Sequence, residues 1–451
     1  MTDMTRGPIL ATIVRFGVPL GVANLAQQGY LLVDSVVVGR YLGVPGLAAV
    51  GAGQPLFTLL SAVFIGAATA FSVRLSHAKG SGAAPDRTVA GALAVFTVVW
   101  SVACLGLTLL LADPVLDLIG VHGPVAAESR RFLVVLAVGL PAVFGLGAVT
   151  AVQRGLGDSR SAMSVTILSS LLNVGLVWWF VGPLGLGIAG AAAATGMANL
   201  IGLAIALVQV RRIWHPAAGS GGLPALRREL RQTLHLGVPM GAQQLLIGLG
   251  VLALVWIVTP YGEVALAAVT VVARLELFTG LLFLNLSGAL MAFVAQNRGA
   301  DQDGRIREGV RQTLWLTAAL TAVVSAGMLL ERSAVAGAFG GDPATQDVIA
   351  RYVVITYPFF VLYTVMVVTH GWLTGIGRPA VPLICTVVSF VLVRLPLSYV
   401  LGQNWGVDGI LWAIVVGWVV GAGYTAVAVR HLPPAAGGPH LVHSLLTWRS
   451  R

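Results

Sequence analysis

The sequence predicts an all-α polytopic membrane protein whose twelve transmembrane helices form two pseudo-symmetric six-helix lobes in a 6+6 parallel repeat. Three observations carry that expectation. Of 451 residues, 57% are hydrophobic and only 10% are charged, whereas a soluble domain carries about 25% charged residues. The apolar residues are gathered into runs, which at roughly 20 residues per crossing account for about twelve helices and leave no room for a large soluble domain. The second half of the chain then repeats landmarks of the first at near-constant spacing.

The runs can be taken in order. The first follows a polar start, Met1 to Pro8, and is too long for a cleavable signal peptide, so it reads as a retained helix. Apolar runs fall near residues 10–39, 46–76, 88–112, 130–153, 160–182 and 186–210, and six more near 233–258, 264–296, 309–330, 348–374, 379–401 and 406–429. Pro19 and Pro239 lie near the starts of the first and seventh helices, where a missing backbone hydrogen bond permits a bend. Pro19 is therefore the candidate hinge of helix 1. The stretch RRIWHPAAGSGGLPALRRELRQ between the sets is rich in Gly, Pro and Arg and reads as a flexible, water-exposed linker. The expected organisation is an N-terminal lobe at 1–211, a cytoplasmic linker at 212–232, a C-terminal lobe at 233–430 and a cytoplasmic tail at 431–451.

Five pairs of segments share an offset of 219 or 220 residues. GVPLG at Gly17 recurs as GVPMG at Gly237, LAAV at Leu47 recurs at Leu266, and the glycine after Lys79 matches the one after Arg298. GLGDS at Gly155 aligns with GIGRP at Gly375, and GIAGA at Gly187 with GVDGI at Gly406. Constant spacing across several pairs marks a duplication. With an even number of crossings per copy, the halves share one orientation and are related by an axis along the membrane normal.

The net charge of +10 is a topology signal, with no indication of nucleic-acid binding. With the N-terminus inside, segments on that side hold nineteen Lys and Arg residues against five outside, which places both termini in the cytoplasm of a multi-pass plasma-membrane protein. Anionic lipid headgroups are the incidental partner of that basic side. Cys104 and Cys385 sit alone in separate runs, so no disulfide framework or metal pair is indicated. GLGIAG at Gly185 satisfies GxGxxG but falls in a connection outside any βαβ unit. Lys79 is the sole lysine and no Walker A sequence is present, which argues against an ATP motor. The histidines lack ligand spacing, and His370 reads as interfacial.

Few charges lie within the runs. Asp34 sits deep in the first, where an ionised carboxylate costs a few kcal/mol and such residues mark ion or proton pathways. The alternative is a packing carboxylate bonded to a neighbour such as Gln27 or Asn173. Glu276 lies on helix 8; Arg274, two residues earlier, points elsewhere, so Arg394 on helix 11 is its expected partner. Its counterparts in the first half, Leu56 and Phe57, are apolar, so the halves are chemically unequal. Asn173 and Thr195 offer neutral oxygens on helices 5 and 6.

The stretches FGVP, VDSVVVGRYLG, GLAAVGAG, QRGLGDSRSA, GLGIAGAAAAT, LGVPMGAQQLL, ALAAVTVVARLELF and VAQNRGA together resemble the multidrug and toxic compound extrusion (MATE) transporters, with the DinF-like branch nearest. The resemblance covers nearly all of the chain. It implies a two-lobe secondary antiporter, not an enzyme, that expels amphipathic, often cationic compounds on a proton or sodium gradient. It further implies that Asp34 matches the family's helix 1 acid and Pro19 its helix 1 proline. Asn173 and Thr195 match first-lobe polar positions, and Glu276 an acid often found on helix 8. One departure stands out: where relatives read N-x-x-L-D-P on helix 5, this chain has Val177 and Trp178 in place of Asp and Pro. A hard cation wants several anionic or carbonyl oxygens, so losing that carboxylate argues against a tight sodium cage. Gln243 and Gln244 on helix 7 likewise supply no acid for a second-lobe sodium site.

The expectation is therefore a monomeric antiporter of small amphipathic or cationic substrates, coupled to H+ or Na+ with protons the simpler choice, and needing no other cofactor and no resident metal. Asp34, Asn173 and Thr195 form the expected coupling site, and Glu276 with Arg394 a polar site in the second lobe. Tyr30, Phe64, Gln153, Trp178 and Tyr357 are candidates for the substrate cavity, where aromatic faces suit flat cations. A lipid-linked oligosaccharide flippase would need cavity arginines for pyrophosphate, and only Arg74, Arg274 and Arg394 are available. A membrane-embedded lipid-modifying enzyme would need paired acid, base or metal ligands on facing helices, and the sequence offers no such set.

Overall fold

The computed structural model describes residues 2–82, 87–118, 120–213, 222–338 and 342–431. Among them all regular structure is helical. The long elements are α1 (Ile9–Gly80), α2 (Arg87–Leu118), α3 (Gly123–Gly155), α4 (Ser159–Val181), α5 (Gly187–Ile213), α6 (Leu223–Val258), α7 (Glu263–Gly299) and α8 (Asp303–Leu330). The short α9 (Arg332–Ala338) precedes α10 (Pro343–Thr356) and α11 (Phe360–Gly375), which a 3-10 turn joins into one rod. Next, α12 (Ala380–Thr386) runs through π-helical turns at Val387–Arg394 into α13 (Leu395–Arg430).

Among the described residues ten helical stretches are long and apolar enough to cross a membrane. Two are more than twice the length a bilayer needs: Ile9–Gly80 has 72 residues and Ala380–Arg430 has 51. Each breaks at a glycine with left-handed backbone, Gly43 (φ 66°, ψ −162°) and Gly406 (φ 62°, ψ −142°), so each is two helices joined end to end. The expected twelve crossings result.

The same glycines show the duplication in the backbone. Gly43 has its counterpart in Gly262 (φ 89°), Gly187 (φ 62°) in Gly406, and Gly157 (φ 75°) in Gly377 (φ 81°). Gly82 (φ 73°) corresponds to Asp301 (φ 53°), the one non-glycine with positive φ among the described residues. All four pairs keep the spacing of 219 or 220 residues read from the sequence. Glycine enters the left-handed region without a Cβ penalty, which is why three of these four pairs keep it in both copies.

The chain divides into two compact units, Met1–Asp3 with Arg15–Gly241, and Met4–Val14 with Ala242–Arg451. In the first, Phe71, Leu75, Phe144 and Leu140 are fully enclosed, and Phe64 stacks on Phe144 with ring centroids 4.4 Å apart. The repeated glycine motif also packs there: a Cβ on Gly66 would lie 2.2 Å from the backbone nitrogen of Gly241, so the two backbones touch only because neither residue has a side chain. In the second unit the core is built on Phe283, Tyr352, Tyr357, Phe360 and Trp418. Outer faces remain apolar. On α2, Val98, Val99, Val102 and Leu110 are each more than 60% exposed, the pattern of a helix facing lipid.

The linker differs from expectation. Helix α6 starts at Leu223, so residues 223–232 are helical and only 214–221 lie outside the described residues, as does the expected tail from residue 432. The physical reason is local: LPALRRELRQ combines strong helix formers with Pro224 in the first turn. Glu229 in this segment takes Arg74 of α1 in a two-pronged pair, Nε to Oε1 and Nη2 to Oε2, both at 3.1 Å.

Candidate functional site

In the first unit α1, α4 and α5 bring three polar side chains together. Asp158 caps α4, accepting from the Ser161 backbone N–H at 3.1 Å and from its hydroxyl at 2.7 Å, and so fixes where the helix begins. The run GIAGAAAAT gives α5 a face of small residues, which lets α4 and α5 approach closely; the Ser169 hydroxyl donates across to the Ala198 carbonyl at 2.9 Å. That register sets Asn173 of α4 between Asp34 of α1 and Thr195 of α5.

The Asn173 amide fits this position in two ways. In one, its nitrogen donates to Asp34 Oδ1 at 2.8 Å and Oδ2 at 3.3 Å, while its oxygen accepts from the Thr195 hydroxyl at 3.1 Å. With the amide reversed, its nitrogen donates to Thr195 Oγ1 at 3.1 Å, and that hydroxyl donates to the Ala191 carbonyl at 3.2 Å. The first arrangement suits a charged carboxylate, which only accepts; the second leaves the amide oxygen facing Asp34, where a protonated carboxyl would donate to it. Asn173 is buried and Asp34 half-buried. Tyr30 lies one turn before Asp34, on the same face of α1 and within reach of its charge.

The second unit holds a different arrangement. Arg394, at the end of the π-helical turns, places Nη2 3.9 Å from Oε1 of Glu276 on α7. That is an ion-pair distance but too long for a hydrogen bond, and Glu276 Oε1 and Arg394 Nε have no hydrogen-bond partner among the described residues. The guanidinium lies over the Phe390 ring, 5.2 Å from its centroid. Tyr352 and Tyr357 meet edge to face with ring centroids 6.0 Å apart, and Tyr363 stacks on Phe360 at 5.6 Å. Nothing in the sequence pattern marks VVSFVLVR as π-helical or assembles these tyrosines; a π turn interrupting an α-helix is itself a frequent mark of function.

The cavity candidates are not brought together. Phe64 is packed in the first core against Phe144 and Phe96, and Trp178 is 52% exposed on the outside of α4. Gln153 is fully buried, its amide nitrogen donating to Gln209 at 3.0 Å. Tyr357 is enclosed in the second core, its hydroxyl 3.4 Å from Thr279 Oγ1. Phe64 and Tyr357 are thus core side chains and Trp178 an outward one, because an aromatic in a membrane helix serves packing and lipid contact as readily as a ligand. Pro19 lies inside α1, where its ring lines an open groove with Val18 and residues of α4. His370 faces Thr425 at 3.2 Å, and both cysteines are free and buried. Among the described residues no group of three or more His, Cys, Asp or Glu is placed to hold a metal ion.

A family model described as MatE matches the chain twice, over residues 19–179 and 239–400, the two matches starting at the paired prolines. YoeA of Bacillus subtilis, named as a probable multidrug resistance protein, is 27% identical over 400 residues, covering 86% of this chain and 86% of that protein. NorM of Aromatoleum aromaticum, described in the same terms, is 28% identical over 392 residues, covering 84% of each. The solved structure of VcmN, a Vibrio cholerae MATE transporter, superposes with a TM-score of 0.87 at 20% identity, over 94% of this chain and 98% of that one.

Proposed function

The chain belongs to the MatE family, and from that membership we propose that it is a proton-coupled antiporter. It exports small amphipathic, often cationic compounds by alternating access of its two lobes. The observation that supports protons as the coupling ion is the placement of the single carboxyl of Asp34 against the Asn173 amide, with Thr195 behind it: an amide can serve a carboxyl by donating to its charged form or accepting from its protonated one. With Asp34 charged, the Asn173 nitrogen donates to the carboxylate and Thr195 donates to the amide oxygen. When a proton arrives, Asp34 donates to the amide oxygen, the amide reverses, and the Thr195 hydroxyl turns to the Ala191 carbonyl. Neither state strands a polar group in the membrane, where each unpaired one costs several kcal/mol. Only the charge changes, by one unit.

That charge is the link to cargo. A negative Asp34 on the half-buried face of α1 attracts a cationic compound; a neutral one releases it. Protonation from outside promotes release, and loss of the proton to the cytoplasm resets the site. The membrane potential supplies about 2.3 kcal/mol per charge for each 100 mV. A sodium cage is less well supported, since the cluster has a single carboxylate and Val177 occupies the position of the second. A pyrophosphate-binding flippase is also disfavoured, since Arg74 is already held by Glu229 and Arg394 pairs with Glu276. The transporter is proposed to act as a monomer in the plasma membrane with both termini cytoplasmic, as the basic segments require.

Purified protein in vesicles, loaded with a fluorescent organic cation and given either a pH gradient or a sodium gradient, tests this. The expected result is export driven by the pH gradient alone and lost in Asp34→Asn. Export driven by sodium without a pH gradient refutes proton coupling, and normal pH-driven export by Asp34→Asn refutes the assignment of the residue.

A further inference from the structure

The groove beside Pro19 takes no part in the coupling cluster. It is open, has a volume of about 500 Å³, and is lined by Val18 and Pro19 of α1 and by Arg160, Ser161, Met163 and Ser164 in the first turns of α4. Its two ends differ in chemistry. Val18 is 58% exposed and with Met163 supplies the apolar part of the lining. At the other end Arg160 is exposed and makes no ion pair or hydrogen bond among the described residues, in contrast to Arg74, Arg130, Arg298, Arg311 and Arg351, each beside an acid. Arg15, also exposed and without a described partner, lies three and four residues before Val18 and Pro19, hence on the same face of α1 one turn nearer the helix end. Asp158, at the start of α4, is buried and engaged as the cap of that helix through Ser161. The Ser164 hydroxyl donates to the Ser161 carbonyl at 2.9 Å and accepts from Gln209 at 3.4 Å.

We propose that this groove is a binding site for an anionic glycerophospholipid of the leaflet at the basic ends of these helices. Its phosphate sits between Arg15 and Arg160, and an acyl chain lies along Val18 and Met163. Charge complementarity selects the occupant. Two unpaired guanidiniums at the end of an apolar groove match a molecule with a negative head and an apolar tail, and guanidinium is the group best shaped for phosphate oxygens. The position has a mechanical consequence. Pro19 cannot donate to the carbonyl of Arg15, so α1 is weakest where the lipid would lie against it. An occupied groove braces one shape of α1, and through it the setting of Asp34, fifteen residues further on.

Native mass spectrometry of the detergent-purified full chain, titrated with dioleoylphosphatidylglycerol or with dioleoylphosphatidylcholine, tests the site. Phosphatidylglycerol is expected to bind more tightly. A basic residue near a lipid surface contributes about 1 kcal/mol, so Arg160→Gln should weaken its binding about fivefold and the Arg15→Gln, Arg160→Gln pair about thirtyfold, with phosphatidylcholine unaffected. Arg332→Gln, outside the groove, should change nothing. Glycerol 3-phosphate at millimolar concentration should not compete. An unchanged phosphatidylglycerol affinity in the double variant, equal binding of the two lipids, or full displacement by glycerol 3-phosphate each overturns the proposal. The last outcome would mean an anion site that ignores the tail. Matching thermal unfolding of the double variant and the parent protein excludes misfolding as the cause of a loss.

Discussion

The two lobes descend from one sequence and share turns, helix lengths and positive-φ positions, yet they treat their single membrane acid in opposite ways. Asp34 is surrounded by neutral partners, an amide and a hydroxyl, which can turn to suit either protonation state. Glu276 faces Arg394, a permanent cation on the neighbouring π-helical turns. An acid with neutral partners can change its charge without leaving another charge stranded. A paired acid cannot, because protonation abandons the arginine in a low-dielectric interior. On the proposed mechanism the first lobe switches and the second stays fixed. Duplication followed by loss of symmetry at one polar position is enough to produce that division.

The sharpest way to break the comparison is to remove both acids in turn. Asp34→Asn should abolish pH-driven export in vesicles, down to the background of protein-free vesicles, while leaving the protein folded. Glu276→Gln should instead act mainly on stability. Uncompensating a buried charge costs about 3–5 kcal/mol, and the 3.9 Å separation and partial exposure of this pair reduce that to about 1–3 kcal/mol. Adding Arg394→Gln should recover most of the loss in thermal unfolding. If the Glu276→Gln protein is as stable as the parent but cannot export, the second lobe switches too and the contrast between the lobes fails.

Smaller changes sharpen the same contrast. Asn173→Ala removes the group that serves Asp34 in both states; a hydrogen bond to a charged group is worth about 1.5–3 kcal/mol, so initial export rates should fall about tenfold or more. Thr195→Val removes a partner one step away and should cost about two- to fivefold, the worth of a neutral hydrogen bond of about 0.5–1 kcal/mol. A Thr195→Val effect larger than that of Asn173→Ala would show that the hydroxyl, not the amide, meets the proton first.

How much of this was legible in the sequence depends on the range of each interaction. Apolar run lengths and the repeated offset are one-dimensional signals, and they anticipated twelve crossings and two copies. Asn173 was foreseeable as a neighbour of Asp34, because both are polar residues stranded in apolar runs and such residues seek each other. The place of the turn between the first two crossings was not foreseeable to the residue, since it rests on the backbone of Gly43 alone. Nor was the start of α6, where arginines that suggested a solvated linker lie on a helix extending past the apolar run. Phe64 and Trp178 show the limit most clearly: both are aromatics in membrane helices, and only packing decides that one is enclosed against Phe144 and the other half-exposed. The π-helical turns before Arg394 left no trace in composition or spacing.

The smallest predicted effects concern the helix caps, where the lobes agree in chemistry and differ in setting. Asp158 caps α4 from a buried position, and Asp342 caps α10 from an exposed one, accepting from the Thr345 N–H at 3.2 Å and from its hydroxyl at 2.5 Å. Asp158→Ala should lower stability by about 1 kcal/mol or somewhat more. For Asp342 the hydrogen bonds from Thr345 hold its carboxyl below the ordinary carboxylate range. The unfolded chain therefore binds the proton more readily than the folded one, and the stabilisation is complete above the ordinary carboxylate value and fades as acid drives the pH down through the native one. Asp342→Asn keeps a capping oxygen but removes the titration, so its unfolding temperature, measured against pH, should fall less steeply on the acid side than the parent's. An identical acid slope in the two proteins would mean that this cap does not sense pH.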